Sequence, residues 1–352
     1  MTRATASTPL RAVLRQPRRR HGRRALPEAA ALVAPVLSDL GGRAGLTDVA
    51  GWRAHGASWT STGTATFPVG PVGEAPLAVL RMSLTGAERL RYETTVLATL
   101  DRAPGLAELR PLLPTRRAEG AAGRWWYVLD EHLSGVDATT ADARLRGHVL
   151  NSGVGVANAL HRDTAVPVLV DDVLLRRWVD EPVDALVHLL RHWPTGWPSE
   201  RLARLRRRLR TELNGRWVHA GWIHGDFWLG NLLVDPATGA ATGLVDWDCA
   251  GPQELPAHDL LHLALFGIAV ERRVNLGTVV AESLAKGTWP VACEDVLRHA
   301  RWSWDDTIGD STVLLLYWLR HVVLVARQQR DHVEHSVLAW RWHNVVRVLR
   351  CL

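Results

Sequence analysis

Lysine is nearly missing from this chain. Lys286 is the only lysine among 42 basic residues in 352, so almost every positive charge is an arginine fork rather than a compact ammonium. Cysteine is scarce as well: Cys249, Cys293 and Cys351 stand far apart, with no CxxC pair. That spacing excludes a disulfide framework and a zinc site, and it fits a reducing, cytoplasmic setting. The longest apolar run, STVLLLYWLRHVVLVA at 311–326, carries Arg320 and His321 near its middle. A membrane span needs ~20 apolar residues without charge there, so the run reads as a buried helix and no transmembrane segment is expected.

Acidic residues are absent from positions 1–27, which hold eight arginines. The rest carries 34 basic against 36 acidic residues, so the net charge of +6 belongs to an arm. The arm lacks the apolar run of a secretory signal and reads as a disordered basic tail over 1–28. A second arginine-rich stretch, 201–217, has Leu202, Leu205, Leu209 and Leu213 beneath it, which makes it a solvated helix face. No nucleic-acid partner is therefore expected. The balance of 47% apolar and 22% charged residues is that of a globular protein large enough for two lobes.

What is present falls into two parts. Residues 25–40 have helical apolar spacing, and 85–100 do so again. Between them, 51–69 and LAVLRMS (77–83) give short segments rich in Thr, Val, Trp and Phe, parted by glycines, as antiparallel strands would be. WWYVLDEHL (125–133) reads as a further strand, ending at Ser134–Gly135. Beyond it, runs such as 144–163 are helical. This is an α+β arrangement: a small antiparallel-sheet N-terminal part followed by a larger, mainly helical part.

The richest segment is HGDFWLGNLLVDPATGAATGLVDWD (224–248). NLLVD and GLVDWD flank DPATG, a Pro-containing turn with Gly at its exit, so a hairpin is expected with Asn231 roughly opposite Asp246. In strand geometry Asp248 would share the face of Asp246, with Trp247 on the other. A loop acid, Asp226, thus comes together with a neutral and an anionic oxygen ligand. Those types suit phosphoryl transfer: the acid orients a hydroxyl and takes its proton, while Asn and Asp hold hard Mg²⁺ ions.

HGDFWLGN followed by LVDWD resembles the aminoglycoside phosphotransferase and choline kinase-like family, which shares the bilobal protein-kinase fold. The resemblance implies Asp226 as catalytic acid/base, His224 as a loop brace, and Asn231 and Asp246 as Mg²⁺ ligands. LPAHDLLHL places Asp259 as a helix-start carboxylate that props the loop. HGASWTSTGT (55–64) stands where the family holds ATP phosphates, with Gly56 and Ser58 in reach of them. Arg81 stands where a third-strand lysine is expected, with Glu93 as its ion-pair partner. Asp130 to Leu133, Glu131 and Leu133 among them, resemble the hinge that binds adenine. The implied organisation is a tail (1–28), a nucleotide-binding N-lobe (29–133) and a C-lobe with catalytic loop and acceptor site (134–352), with ATP and Mg²⁺ as cofactors.

A second His-x-Asp, HRD at 161–163, is a decoy. No Asn follows at the right distance, since position 168 is Val, and no strand pair with a metal-binding Asp follows. His161 is expected to be structural. For the acceptor, RWSWDDTIGD (301–310) groups Trp302, Trp304, Asp305, Asp306 and Asp310, which suits a polyol or amine. Trp228 and Asp248 are further acceptor-side candidates. Trp228 matches the HGDLW-x-GN form of fructosamine kinase-like relatives, which points to a sugar-derived hydroxyl. The leading reading is a kinase acting on a hydroxyl of a sugar, aminoglycoside or amino-alcohol. The alternative is a kinase-fold nucleotide-binding regulatory protein with weak or no turnover. A metal-dependent hydrolase on His224, Asp226 and Asp246 ranks last, for want of a second histidine at metal spacing.

Overall fold

The computed structural model describes residues 19–43, 46–60, 63–84, 87–193, 195–304, 306–328 and 334–352. They fall into two compact units, the first within 1–152 and 230–248, the second 153–229 and 249–352. Helix α1 (Arg19–Gly41) opens the first unit and takes in the last ten residues of the basic arm. The rest of that arm, 1–18, lies outside the described residues.

In α1, Ala29, Val33, Val36, Leu37 and Leu40 recur at helical spacing and bury one stripe against a sheet. That sheet comprises β1 (Arg53–Ala54), β2 (Ser58–Trp59), β3 (Thr64–Gly70) and β4 (Ala78–Ser83), then, after helix α2 (Ala87–Arg102), β5 (Arg116–Ala122) and β6 (Trp125–Glu131). Its order is β1-β3-β4-β6-β5, with β2 also on β3, and every pairing is antiparallel. Strand alternation gives it two unlike faces. Ala65, Phe67 and Val69 pair with Met82, Leu80 and Ala78, which with Tyr127 and Leu129 form the core under α1. Each large side chain buried there is worth about 1.5–3 kcal/mol. The opposite face carries Thr66, Arg81, Val128 and Asp130. That face is partly ionic, and its charges must be matched within the unit.

The chain continues through β7 (Val136–Asp137) into α3 (Arg146–Thr164), within which the second unit begins at Gly153, and on to β8 (Val166–Leu169). Asp171 caps α4 (Asp172–Leu175) by accepting from Val173 and Leu174 N–H. A π turn leads from α4 into α5 (Glu181–Leu189), and α6 (Trp197–Leu213) buries Leu202, Leu205, Leu209 and Leu213 beneath its arginines. Strand β9 (Trp217–Ile223) pairs with β8.

Strands β10 (Leu232–Val234) and β11 (Ala241–Leu244) then form a hairpin in the first unit, with β7 on the other edge of β10. Asp235 ties its turn by accepting from Ala237 and Thr238 N–H, and Gly239 at the exit has φ +75°. Back in the second unit, β12 (Gly251–Glu254) joins β9. Helix α7 (Ala257–Leu261) runs through a π turn at His262–Phe266 into α8 (Gly267–Arg272). Helices α9 (Leu276–Lys286), α10 (Val291–Arg298), α11 (Asp310–Gln328), α12 (Glu334–Arg341) and α13 (Arg347–Leu349) complete it. Arg320 and His321 lie inside α11, and among the described residues no helix is long and apolar enough to cross a membrane.

Candidate functional site

The first unit gathers one set of candidate residues on the ionic face of its sheet. Arg81 in β4 meets Glu93 of α2 through both fork nitrogens, Nη1 to Oε1 at 3.1 Å and Nη2 to Oε2 at 2.6 Å. The same Nη2 reaches Asp130 Oδ2 at 2.8 Å. Asp130 also accepts from Arg116, which stands opposite it in the β5–β6 register. Two arginines and two acids are thus interlocked with little water contact. Burial would lower the Arg81 pKa, but Glu93 and Asp130 hold it well above the ordinary value. Burial pushes the Glu93 carboxyl up, against the pull of Arg81. The sheet register sets Ser58, Thr66 and Arg81 side by side across three strands, so Ser58 shares the Arg81 face. Gly56 is exposed ahead of β2 with open space around it, and residues 61 and 62 of the glycine-bearing loop lie outside the described residues.

The hairpin brings more candidates to the same unit. Asn231 is buried, and its carbonyl accepts from Val245 N–H at 2.9 Å. Asp246 follows with φ +71°, a left-handed conformation rare outside glycine. The next amide, Trp247 N–H, donates to Glu93 Oε1 at 3.2 Å, and the Asp246 charge acts on both Arg81 and Glu93. The alternation expected over 246–248 does not occur. The backbone turns left-handed at Asp246 and continues as a 3₁₀ turn (Trp247–Cys249), so Asp248 instead pairs with Arg89 of α2 at 3.2 Å. Leu133 lies just past β6 and packs on Gly243 of β11. Glu131 and His132 have their N–H groups bonded to Thr115 O and Leu77 O.

The second unit holds the HGD turn, where Asp259 of α7 is the clamp. Its Oδ2 accepts from His224 N–H and its Oδ1 from Gly225 N–H, each at 2.8 Å. His161 backs the clamp with Nε2 3.1 Å from Oδ2, which is where the HRD decoy spends its histidine. Gly225 has φ +81°, and a Cβ there would lie 2.1 Å from Cys249 O, so only glycine fits. Arg320 adds Nη1 to Gly225 O and Nη2 to Cys249 O, both at 3.0 Å. The turn presents Asp226, a third of whose side chain remains exposed, with Oδ1 3.0 Å from His262 Nε2. Burial would raise the Asp226 pKa, but His262, His224 and His321 hold it well below the usual carboxylate range.

The acceptor-side candidates scatter. Trp228 packs edge-on against Phe266 with centroids 5.3 Å apart. Asp305 lies outside the described residues. Asp306 is exposed and pairs with Arg301 at 2.9 Å, while Asp310 accepts from Trp289 Nε1. Trp304 is core. Trp302 meets the His219 ring and, with Arg162, Arg298 and His299, lines a cavity of about 610 Å³ that is basic rather than acidic. Among the described residues of 301–310, the acids and the tryptophans thus meet different partners.

Sequence reasoning missed Asp130 as a second partner of Arg81, Arg116 as the other cation on Asp130 and Glu93, and His262, Tyr317 and Arg320 around the HGD turn. One signal was present: Arg320 and His321 interrupt an apolar helix, and a polar residue there needs a buried partner.

A comparison with curated proteins finds no match. Among solved structures, the chain is similar to a thermostable mutant of aminoglycoside phosphotransferase APH(4)-Ia in ternary complex with ADP and hygromycin B. The identity is 16%, covering 91% of this chain and 98% of that one, with a TM-score of 0.57. It is also similar to ADP-bound aminoglycoside phosphotransferase APH(2'')-Ib, at 10% identity, the same coverage and a TM-score of 0.55. At such identities the likeness concerns the fold, an antiparallel-sheet lobe and a larger helical lobe of the protein-kinase kind. The model of the phosphotransferase enzyme family matches residues 71–294, which take in Arg81, Glu93, the HGD turn and the hairpin with Asp246. On that match, over more than half its length, the chain belongs to the phosphotransferase enzyme family.

Proposed function

We propose that this phosphotransferase is an ATP- and Mg²⁺-dependent small-molecule kinase, transferring the γ-phosphoryl group to a hydroxyl of a sugar, aminoglycoside or amino-alcohol. The observation that carries the reading is the Asp259 clamp on the 224–226 turn. It holds Asp226 in a fixed, anionic and partly exposed pose, five residues before Asn231 and the hairpin that ends at Asp246. Asp226 would orient the acceptor hydroxyl and take its proton as the new P–O bond forms. His224 braces the turn from within, its Nδ1 lying 3.4 Å from Asp226 N.

The first unit would take the nucleotide. Arg81, Ser58 and the backbone near Gly56 would face the phosphates, and Glu131 to Leu133 the adenine edge. Asn231 and Asp246 supply oxygen donors only, the set a hard cation takes. Asn231 and Asp246 would hold Mg²⁺, whose charge would help neutralise the phosphates. ADP in both similar structures supports nucleotide binding, and hygromycin B in one supports a hydroxylated acceptor. Buried free Cys249 and Cys293 fit the cytoplasm.

The test is ADP and phosphorylated-product formation from MgATP across a panel of sugars, aminoglycosides and amino-alcohols. Transfer that vanishes in Asp226→Asn and in Asp246→Ala is expected. Absence of nucleotide binding, or of product from every acceptor, would overturn the proposal. A second reading, a nucleotide-binding regulator with little turnover, draws on Arg81, whose fork is already engaged by Glu93 and Asp130. It predicts MgATP binding with no acceptor phosphorylated.

A further inference from the structure

We infer that His262 is a positioning residue for Asp226, and that Tyr317 selects the imidazole tautomer that does the positioning. The inference rests on the reading of Asp226 as the group that faces the acceptor. His262 sits where α7 passes into a π turn, three residues after Asp259. Asp259 and His262 therefore grip successive parts of one turn, the first its backbone amides and the second its carboxylate. Such π turns re-aim a side chain that an unbroken α-helix would point elsewhere, and they recur at functional sites.

The ring is fixed on every side. Phe266 stacks on it at 4.7 Å and 14°, and the His321 ring lies 5.0 Å away. Tyr317 Oη is 2.9 Å from Nδ1. Burial, reinforced by Asp226, pushes the Tyr317 phenol well above its usual range, so the hydroxyl keeps its proton and can donate it in a hydrogen bond to Nδ1. With Tyr317 donating to Nδ1, the neutral ring carries its proton on Nε2, the atom facing Asp226 Oδ1. A proton on Nε2, 3.0 Å from Oδ1, draws that oxygen toward the ring and so biases the direction of Oδ2.

The titratable and charged groups around His262 are Asp226 and His224 of the turn, His258 of α7, Cys293 of α10, and Tyr317, Arg320 and His321 of α11. Burial pushes His258 and His321 down to about 3, so neither supplies a competing charge near neutral pH. Without the Tyr317 hydroxyl, the neutral ring is free to move its proton to Nδ1 and turn a lone pair toward the carboxylate.

The experiment measures ADP release from MgATP, with water as acceptor, between pH 5.5 and 9, beside ¹⁵N-histidine NMR assigned by difference against His262→Gln. In the native chain the His262 ring should be the Nε2–H tautomer. His262→Ala should lower kcat about 10–100-fold with KM for MgATP unchanged. His262→Gln, whose amide can also donate to Asp226, should recover much of the loss. Tyr317→Phe should lose the single Nε2–H form in the ¹⁵N spectrum and lower kcat with KM for MgATP unchanged, which a packing defect would not produce. An Nδ1–H tautomer in the native chain, a His262→Ala kcat within twofold of native, or a Tyr317→Phe spectrum that keeps the single Nε2–H form would each overturn the inference. No ADP from any form would instead sink the kinase reading, and the NMR tautomer would still decide the geometry.

Discussion

Gly225 shows how narrowly single residues are constrained here. Its φ of +81° already disfavours any side chain, and the Cys249 carbonyl occupies the space a Cβ would need. Gly225→Ala should cost at least about 1–3 kcal/mol, from strain and a backbone shift that loosens the Asp259 clamp. Gly56→Ala is the contrast, since nothing lies within 4 Å of its missing Cβ. Thermal unfolding of the two variants checks the pair: a large fall for Gly225→Ala, none for Gly56→Ala. Arg81 is constrained differently, because it stands between Glu93 and Asp130. Arg81→Met would leave the buried Glu93 and Asp130 carboxylates with Arg116 alone of the two guanidinium groups, and a loss of about 3–5 kcal/mol is expected by urea titration. A fall under 1 kcal/mol would mean that Arg116 alone compensates both acids.

Among elements, the β10–β11 hairpin was legible because its signals are local. The Pro-containing turn, the Gly at its exit and the flanking apolar runs all lie within fifteen residues. The end of the hairpin was not legible, because nothing in VDWD announces the left-handed Asp246 that breaks strand alternation. The ion pairs and clamps were beyond local reading for a related reason. Asp130 is 49 residues from Arg81, and Tyr317 is 55 from His262, so only the folded chain decides which polar residue meets which. The resemblance to a known family placed Asp259 near the loop; it could not place His262, whose aim depends on a π turn.

Helix α7 also carries a pH liability. Burial, reinforced by Arg320, pushes His258 down to about 3. Between the ordinary value of about 6.5 and pH 3, the unfolded chain binds a proton that the folded chain refuses. This contribution is whole above pH 6.5 and drains away as pH falls, by about 2 kcal/mol between pH 6.5 and 5. Denaturant titrations at those two pH values should show the loss in the native protein and less of it in His258→Leu.

At the scale of the whole molecule, the two units give a ligand a way to reveal where it binds. If nucleotide belongs to the first unit, MgATP at a hundred times its Kd should add about 2.7 kcal/mol to that unit's stability. The corresponding rise in its transition is roughly 5–10 °C. Scanning calorimetry should show Asp246→Ala losing the Mg²⁺-dependent part of the rise, while Asp226→Asn keeps it. An equal effect of both substitutions would separate nucleotide binding from the hairpin.

Arg81 has one more consequence, for reagents. A guanidinium does not acylate as an amine does, so β4 offers no target to amine-directed labels. If nucleotide belongs to the first unit, a nucleotide carrying an acylating group would leave that unit unmarked. Any side-chain label would appear on Lys286, in the last turn of α9 in the other unit. A probe that reports occupancy by acylating a strand lysine would therefore score this unit as empty even with a ligand bound beside Arg81.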